Sequence, residues 1–101
     1  MNVYIITINK LFDRFTTTEV NSVYASLEAA MDSLKDVEAT QKEVLAAQCG
    51  CYKTAIKRSV KKGNKNSSDR QTVTLSYQKA FGASEKVIIS IREEGLRGLN
   101  K

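Results

Sequence analysis

Histidine, tryptophan and proline are all absent from this chain of 101 residues. Without histidine the commonest general base and the commonest metal ligand are gone. A Ser-His-Asp or Cys-His site cannot be assembled within one chain. The two cysteines, Cys49 and Cys51, cannot complete a structural zinc site alone. Their C-x-C spacing is too short for the C-x-x-C redox motif, and a disulfide across one residue is strained. They read as small apolar residues packing where a helix meets a strand. Without proline, turns must come from Gly, Asn, Ser and Asp. No apolar run approaches the ~18 residues a membrane span needs. The opening MNVYIITINK has no basic segment before its apolar stretch, so it does not read as a signal peptide, and a cytoplasmic location is expected. There is no G-x-G-x-x-G, no G-x-x-x-x-G-K-[ST] and no G-x-S-x-G. The sequence therefore names no catalytic, cofactor-binding or metal-binding residue, and a non-enzymatic protein is expected.

What is present is charge, unevenly spread. The net charge of +5 is carried by one stretch, KRSVKKGNKNSSDR, residues 57–70. It sets Lys57, Arg58, Lys61, Lys62, Lys65 and Arg70 against the single acid Asp69. Residues 19–43 lean the other way, with Glu19, Glu28, Asp32, Asp36, Glu38 and Glu43 against Lys35 and Lys42. A dipolar molecule with an acidic helix and a basic hairpin is expected, able to present either pole to a partner.

Hydrophobic patterning supplies the elements. NVYIITI (2–8) is a short apolar run rich in β-branched residues and reads as a buried strand. Residues 9–18 read as a connection, and TEVNSVYA (18–25) as a second strand pairing back on the first. Ser26 is a suitable N-cap for LEAAMDSLKDV, in which Leu27, Ala30, Met31, Leu34 and Val37 form a stripe at helical period. Residues 38–48 also favour helix, either continuously or after a bend near Thr40, with Val44 and Leu45 as core contacts. Gly50 suits the left-handed position that ends a helix. YKTAIKRSVK (52–61), RQTVTLSYQ (70–78) and KVIISIR (86–92) alternate with period two and read as three further strands. Strict alternation puts Arg58 on the inner face: either the strand outruns the helix, the favoured reading, with the guanidinium reaching past the sheet end while its stem packs, or a bulge resets the parity. The expected fold is an α+β two-layer sandwich, a mostly antiparallel sheet in the order β-β-α-(α)-β-β-β with the helix packed on one face. One domain over residues 1–95 is expected; EEGLRGLNK (93–101) reads as a frayed end, with residues 96–101 as the flexible tail.

Two functions follow as expectations. The first is a regulatory or inhibitory module that binds a protein partner through Lys57, Arg58, Lys61, Lys62, Lys65 and Arg70, through the helix face bearing Glu28, Asp32 and Asp36, or through both. The second is electrostatic, weakly sequence-specific nucleic-acid binding through the same basic hairpin. Its polar face lacks the aromatic residues that single-strand binders stack bases on. An open sheet edge would also allow a homodimer.

Overall fold

The computed structural model describes residues 2–12, 15–63, 68–79 and 84–95. Among these, five strands and one long helix form: β1 (Asn2–Leu11), β2 (Thr16–Tyr24), α1 (Leu27–Cys49), β3 (Lys57–Lys62), β4 (Asp69–Tyr77) and β5 (Glu85–Gly95). A single turn of 3₁₀ helix, Lys53–Ala55, precedes β3. The sheet runs β2-β1-β5-β4-β3 with every pairing antiparallel. This is the α+β sandwich the sequence predicts, with α1 on one face.

Alternation builds the core. Ile6 and Ile8 of β1, Val73 and Leu75 of β4, and Val87, Ile89 and Ile91 of β5 are fully buried. They meet Ala30, Leu34, Leu45 and Ala46 of α1. α1 leaves one sheet edge after β2 and arrives at the other before β3. Four strand spacings of ~4.8 Å separate those edges by about 19 Å. A helix of 23 residues spans about 35 Å at ~1.5 Å per residue, so it crosses obliquely. The Ser26 hydroxyl accepts from the Ala29 amide at 3.1 Å, capping the start. Gly50 ends the helix at φ 65°, ψ 34°, its amide directed at the carbonyls of Ala46 and Ala47.

Several expected boundaries move. The stretch 9–18 is mostly strand: β1 and β2 stay paired out to Leu11 and Thr16. The turn between them is closed by reciprocal backbone bonds between Phe12 and Phe15, whose rings meet edge to face at 5.2 Å. Pairing with β5 on its other side holds β1 extended past Ile8, where hydrophobicity alone gives out. The 52–61 strand begins only at Lys57, because Lys53–Ala55 turns instead. Tyr52, which the alternation of 52–61 would set on the inner face with Ile56, is therefore 85% exposed. Glu93–Gly95, expected as part of the frayed end, finish β5 by pairing with Asn2–Tyr4. The helix is continuous through Thr40. The expected tail beyond Gly95 lies outside the described residues.

The helix also buries a residue the stripe did not anticipate. Gln41 is 7% exposed, while Val44 and Leu27 lie outside. Gln41 Oε1 has no hydrogen-bond partner among the described residues. A buried acceptor left unpaired costs roughly 1–3 kcal/mol, and methionine has nearly the same shape. Gln41→Met is expected to raise the unfolding free energy by about 1 kcal/mol, read as a higher urea midpoint at unchanged slope. A lower midpoint would mean that the amide is satisfied in solution. No helix among the described residues is long and apolar enough to cross a membrane.

Candidate functional site

β3 is one of the two edge strands, paired only with β4, and all six of its residues are exposed. Ile56 anchors its start in the core. Gly63 closes its end through a 3.1 Å bond from its amide to the Arg70 carbonyl. Opposite residues share a face, and Val73 and Leu75 point into the core. Their partners Val60 and Arg58 therefore take the helix side, together with Lys62. Lys57, Ser59 and Lys61 take the uncovered face.

The six basic residues expected to act together divide. Arg58 lies on the inner face as its parity requires, and its Nε donates to Glu38 of α1 at 2.6 Å. That hydrogen bond raises the guanidinium pKa further above its ordinary value. Arg70 Nε stands 2.9 Å from Glu93 Oε1. Lys57, Lys61 and Lys62 make no ion pair with any described residue. Lys65 lies outside the described residues.

The uncovered face is rich in hydroxyls and ordered in rows. One runs Lys61, Thr72, Ser90, Thr7, Val20 across all five strands; the next runs Ser59, Thr74, Ile88, Asn9, Thr18. A third runs Lys57, Ser76, Lys86, Leu11, Thr16. The Thr72 and Ser90 hydroxyls are 3.4 Å apart. Lys86, exposed and without an ion pair to a described residue, joins Lys57 and Lys61 on this face. The period-two pattern of KVIISIR could have placed Lys86 there, since Ile88 and Ser90 follow at the same parity. Tyr52 stands five residues before Lys57. Only its failure to continue the strand reveals it as a surface aromatic.

The acidic face sits elsewhere. Glu28, Asp32 and Asp36 are exposed on the first half of α1 and make no ion pair with a described residue. That half lies beside β2, where the Tyr24 hydroxyl donates to Ser33 Oγ. The second half of the helix meets the basic edge through Glu38–Arg58 and Glu43–Lys53, the latter at 3.5 Å. The fold thus holds the two charged sets at opposite sheet edges.

A third cluster joins α1 to the β4–β5 hairpin. Glu85 is 2% exposed at the start of β5. Lys79 Nζ lies 3.3 Å from its Oε1, and the Cys49 thiol donates to its Oε2 at 3.0 Å. Burial, with the Glu85 hydrogen bond and charge added, pushes the Cys49 pKa from 9.0 up to about 12. A nucleophilic cysteine needs the opposite shift. Cys49 and Cys51 are free thiols packed against the core, as expected, but Cys49 is also a hydrogen-bond donor. Iodoacetamide at pH 8 is expected to alkylate native Cys49 at least about tenfold more slowly than in the urea-unfolded chain. Because the folded pKa is raised, the stability this group contributes is complete below pH 9 and is lost as pH rises toward about 12. Alkaline unfolding should therefore be shallower in Cys49→Ala than in the native chain. Equal alkylation rates in the two states would show that the thiol is not held in this way.

Among the described residues, no group of three or more His, Cys, Asp or Glu is placed to hold a metal ion. Comparison with known protein families, curated proteins and solved structures finds no match to this chain.

Proposed function

We propose that this chain is a small non-enzymatic protein of the cytoplasm that binds a macromolecular partner. It acts as a regulatory or inhibitory protein–protein module whose contact surface is the β3 edge. The observation that carries this reading is the set Lys57, Lys61 and Lys62 on a wholly exposed edge strand, without ion pairs to described residues and with exposed Tyr52 close by in sequence. Exposed tyrosine is enriched at protein interfaces, and lysines beside open backbone give electrostatic complementarity to an acidic partner. The two free thiols suit a reducing compartment.

Nucleic-acid binding is the second reading, and the ion pairs weigh against it. Arg58 and Arg70, counted in sequence among six phosphate contacts, are engaged by Glu38 and Glu93. Tyr4, Tyr24 and Tyr77 share the helix side of the sheet, so the strands offer no stacking platform on their uncovered face. Glu28, Asp32 and Asp36 are a further contact only for a partner broad enough to reach the far edge.

A photo-cross-linking residue at Ser59, with one at Thr18 as the distant control, tests the choice in cells that carry the chain. Discrete protein adducts from position 59, lost in a Lys57→Glu/Lys61→Glu/Lys62→Glu variant, are expected. Adducts to nucleic acid from position 59 would establish the second reading instead.

A further inference from the structure

We infer that β3 is an acceptor strand: it binds an extended acidic segment of a partner protein by adding it to the sheet next to Lys57–Lys62. This rests on the protein-binding reading above and names how the partner is held.

The two edges of the sheet are not equivalent. β2 carries a register shift opposite Ile6 and Thr7, with Ser22 paired to Ile6 and Val20 to Thr7, so Asn21 is squeezed out of the ladder. Such a bulge twists an edge and hinders further pairing. β3 pairs with β4 through six consecutive residues without a shift. In an antiparallel ladder alternate residues turn their N–H and C=O groups to the same side. About half of the six residues of β3 therefore point both groups away from β4. No other described backbone group bonds to them. A regular, unpaired backbone row is what strand addition requires.

Charge selects the occupant. Lys57 and Lys61 flank the row on the uncovered face, and Lys62 flanks it on the helix side. Like charges facing one another across strands are unfavourable, so β3 repels a second β3. The other edge of a second copy, β2, is bulged at Asn21 and carries a single acid, Glu19, which lies 3.9 Å from Lys10. The copy's unpaired acids Glu28, Asp32 and Asp36 are in α1, and β5, which holds Glu93 and Glu94, is already paired on both sides. An acidic segment from another protein meets neither obstacle. Glutamates at alternate positions would stand across from Lys57 and Lys61. The intervening side chains would turn toward Val60, which is 41% exposed on the helix side. An apolar β-branched residue fits there.

Nucleic acid shares the attraction to lysine but cannot use the backbone row, and this difference gives the test. The probe is a fluorescein-labelled heptapeptide of glutamate alternating with valine and threonine. Two derivatives carry N-methyl groups, each along one edge only, with charge unchanged. Anisotropy is read at ~50 and ~200 mM salt, with peptide up to about 1 mM to allow for the ordering cost of a short segment. Binding of the parent is expected, with an affinity at least about tenfold lower for one N-methylated derivative and for the Lys57→Glu/Lys61→Glu variant. β3 amides should gain protection from hydrogen exchange on binding. Both lysines are exposed, so the variant should keep the native circular dichroism.

Equal binding of all three peptides, lost only in the charge variant, would overturn strand addition and leave an electrostatic protein contact standing. Binding of a 20-base-pair duplex in place of any peptide would overturn both readings. Self-association of the unliganded chain, abolished by the same two substitutions, would make a second copy the occupant and overturn the proposal.

Discussion

Replacing Lys79 by methionine is expected to cost about 3 kcal/mol of folding stability, because it takes a cation away from a buried carboxylate. Glu85 is buried where β5 begins, and Lys79 Nζ lies 3.3 Å from its Oε1. Removing one partner of a buried pair costs ~3–5 kcal/mol in general. The Lys79 side chain is 33% exposed, so solvent screens part of its charge and the low end of that range applies. Glu85→Gln removes the charge along with its need for a partner, and should cost less. It weakens the acceptor for the Cys49 thiol, yet it leaves no charge in the core. The double variant should therefore be more stable than Lys79→Met alone by at least about 1 kcal/mol. Urea denaturation of the four proteins at neutral pH gives the cycle. Strictly additive costs would show that Lys79 stabilises the chain by packing and not by its charge.

Glu85 marks the limit of what patterning conveys. Val87, Ile89 and Ile91 declare the inner face of β5 by alternation, and Val73 and Leu75 do the same for β4. Ser26 and Gly50 declare the ends of the helix by residue type. These signals are local, and they were enough for the elements and the sandwich. The sheet order was not legible, because β1 meets β5 across more than 70 residues of chain, and no local pattern encodes that contact. Once β5 flanks it, β1 extends to Leu11 and the polar run Thr16–Thr18 becomes strand. The buried pair depends on the same long-range contacts. From sequence alone KAFGASE (79–85) reads as a connection, and nothing in it says that its last residue, Glu85, meets the helix end at Cys49.

The basic stretch was legible as composition and not as a site. Six cations in 14 residues look like one patch, but Arg58 reaches Glu38, 20 positions away in sequence, and Arg70 reaches Glu93. The helix phase that aims Glu38 at β3 depends on how α1 lies across the sheet. Tyr52 was misplaced for a related reason: its alternation with Thr54 and Ile56 imitates a strand, while the chain leaving Gly50 still has to turn onto the sheet edge.

Gly63→Ala should cost about 1–3 kcal/mol or more, the range for forcing atoms into a space already filled, and it should disable the edge along with the fold. A Cβ at Gly63 would lie 1.5 Å from the Asp69 carbonyl oxygen and 2.6 Å from its carbon. Both atoms belong to the backbone of β4, so relief requires β3 and β4 to separate at this end. The bond from the Gly63 amide to the Arg70 carbonyl is the first to go, followed by the pairing of Lys62 with Gln71 and of Lys61 with Thr72. Gly50→Ala is the informative contrast. Nothing lies within 4 Å of a Cβ there, and the whole penalty is that of a left-handed φ, about 1–2 kcal/mol. Gly50→Asn should recover part of it, since asparagine tolerates that region. No polar side chain relieves a backbone collision, so Gly63→Asn should be no better than Gly63→Ala. Hydrogen exchange separates the two sites further: Gly63→Ala should speed exchange at β3 and the facing part of β4, whereas Gly50→Ala should loosen the last turn of α1. If Gly63→Ala changed stability by less than about 0.5 kcal/mol, the range of an ordinary surface substitution, the hairpin would have room to open at Gly63. The β3 edge would then be less rigidly presented than strand addition requires.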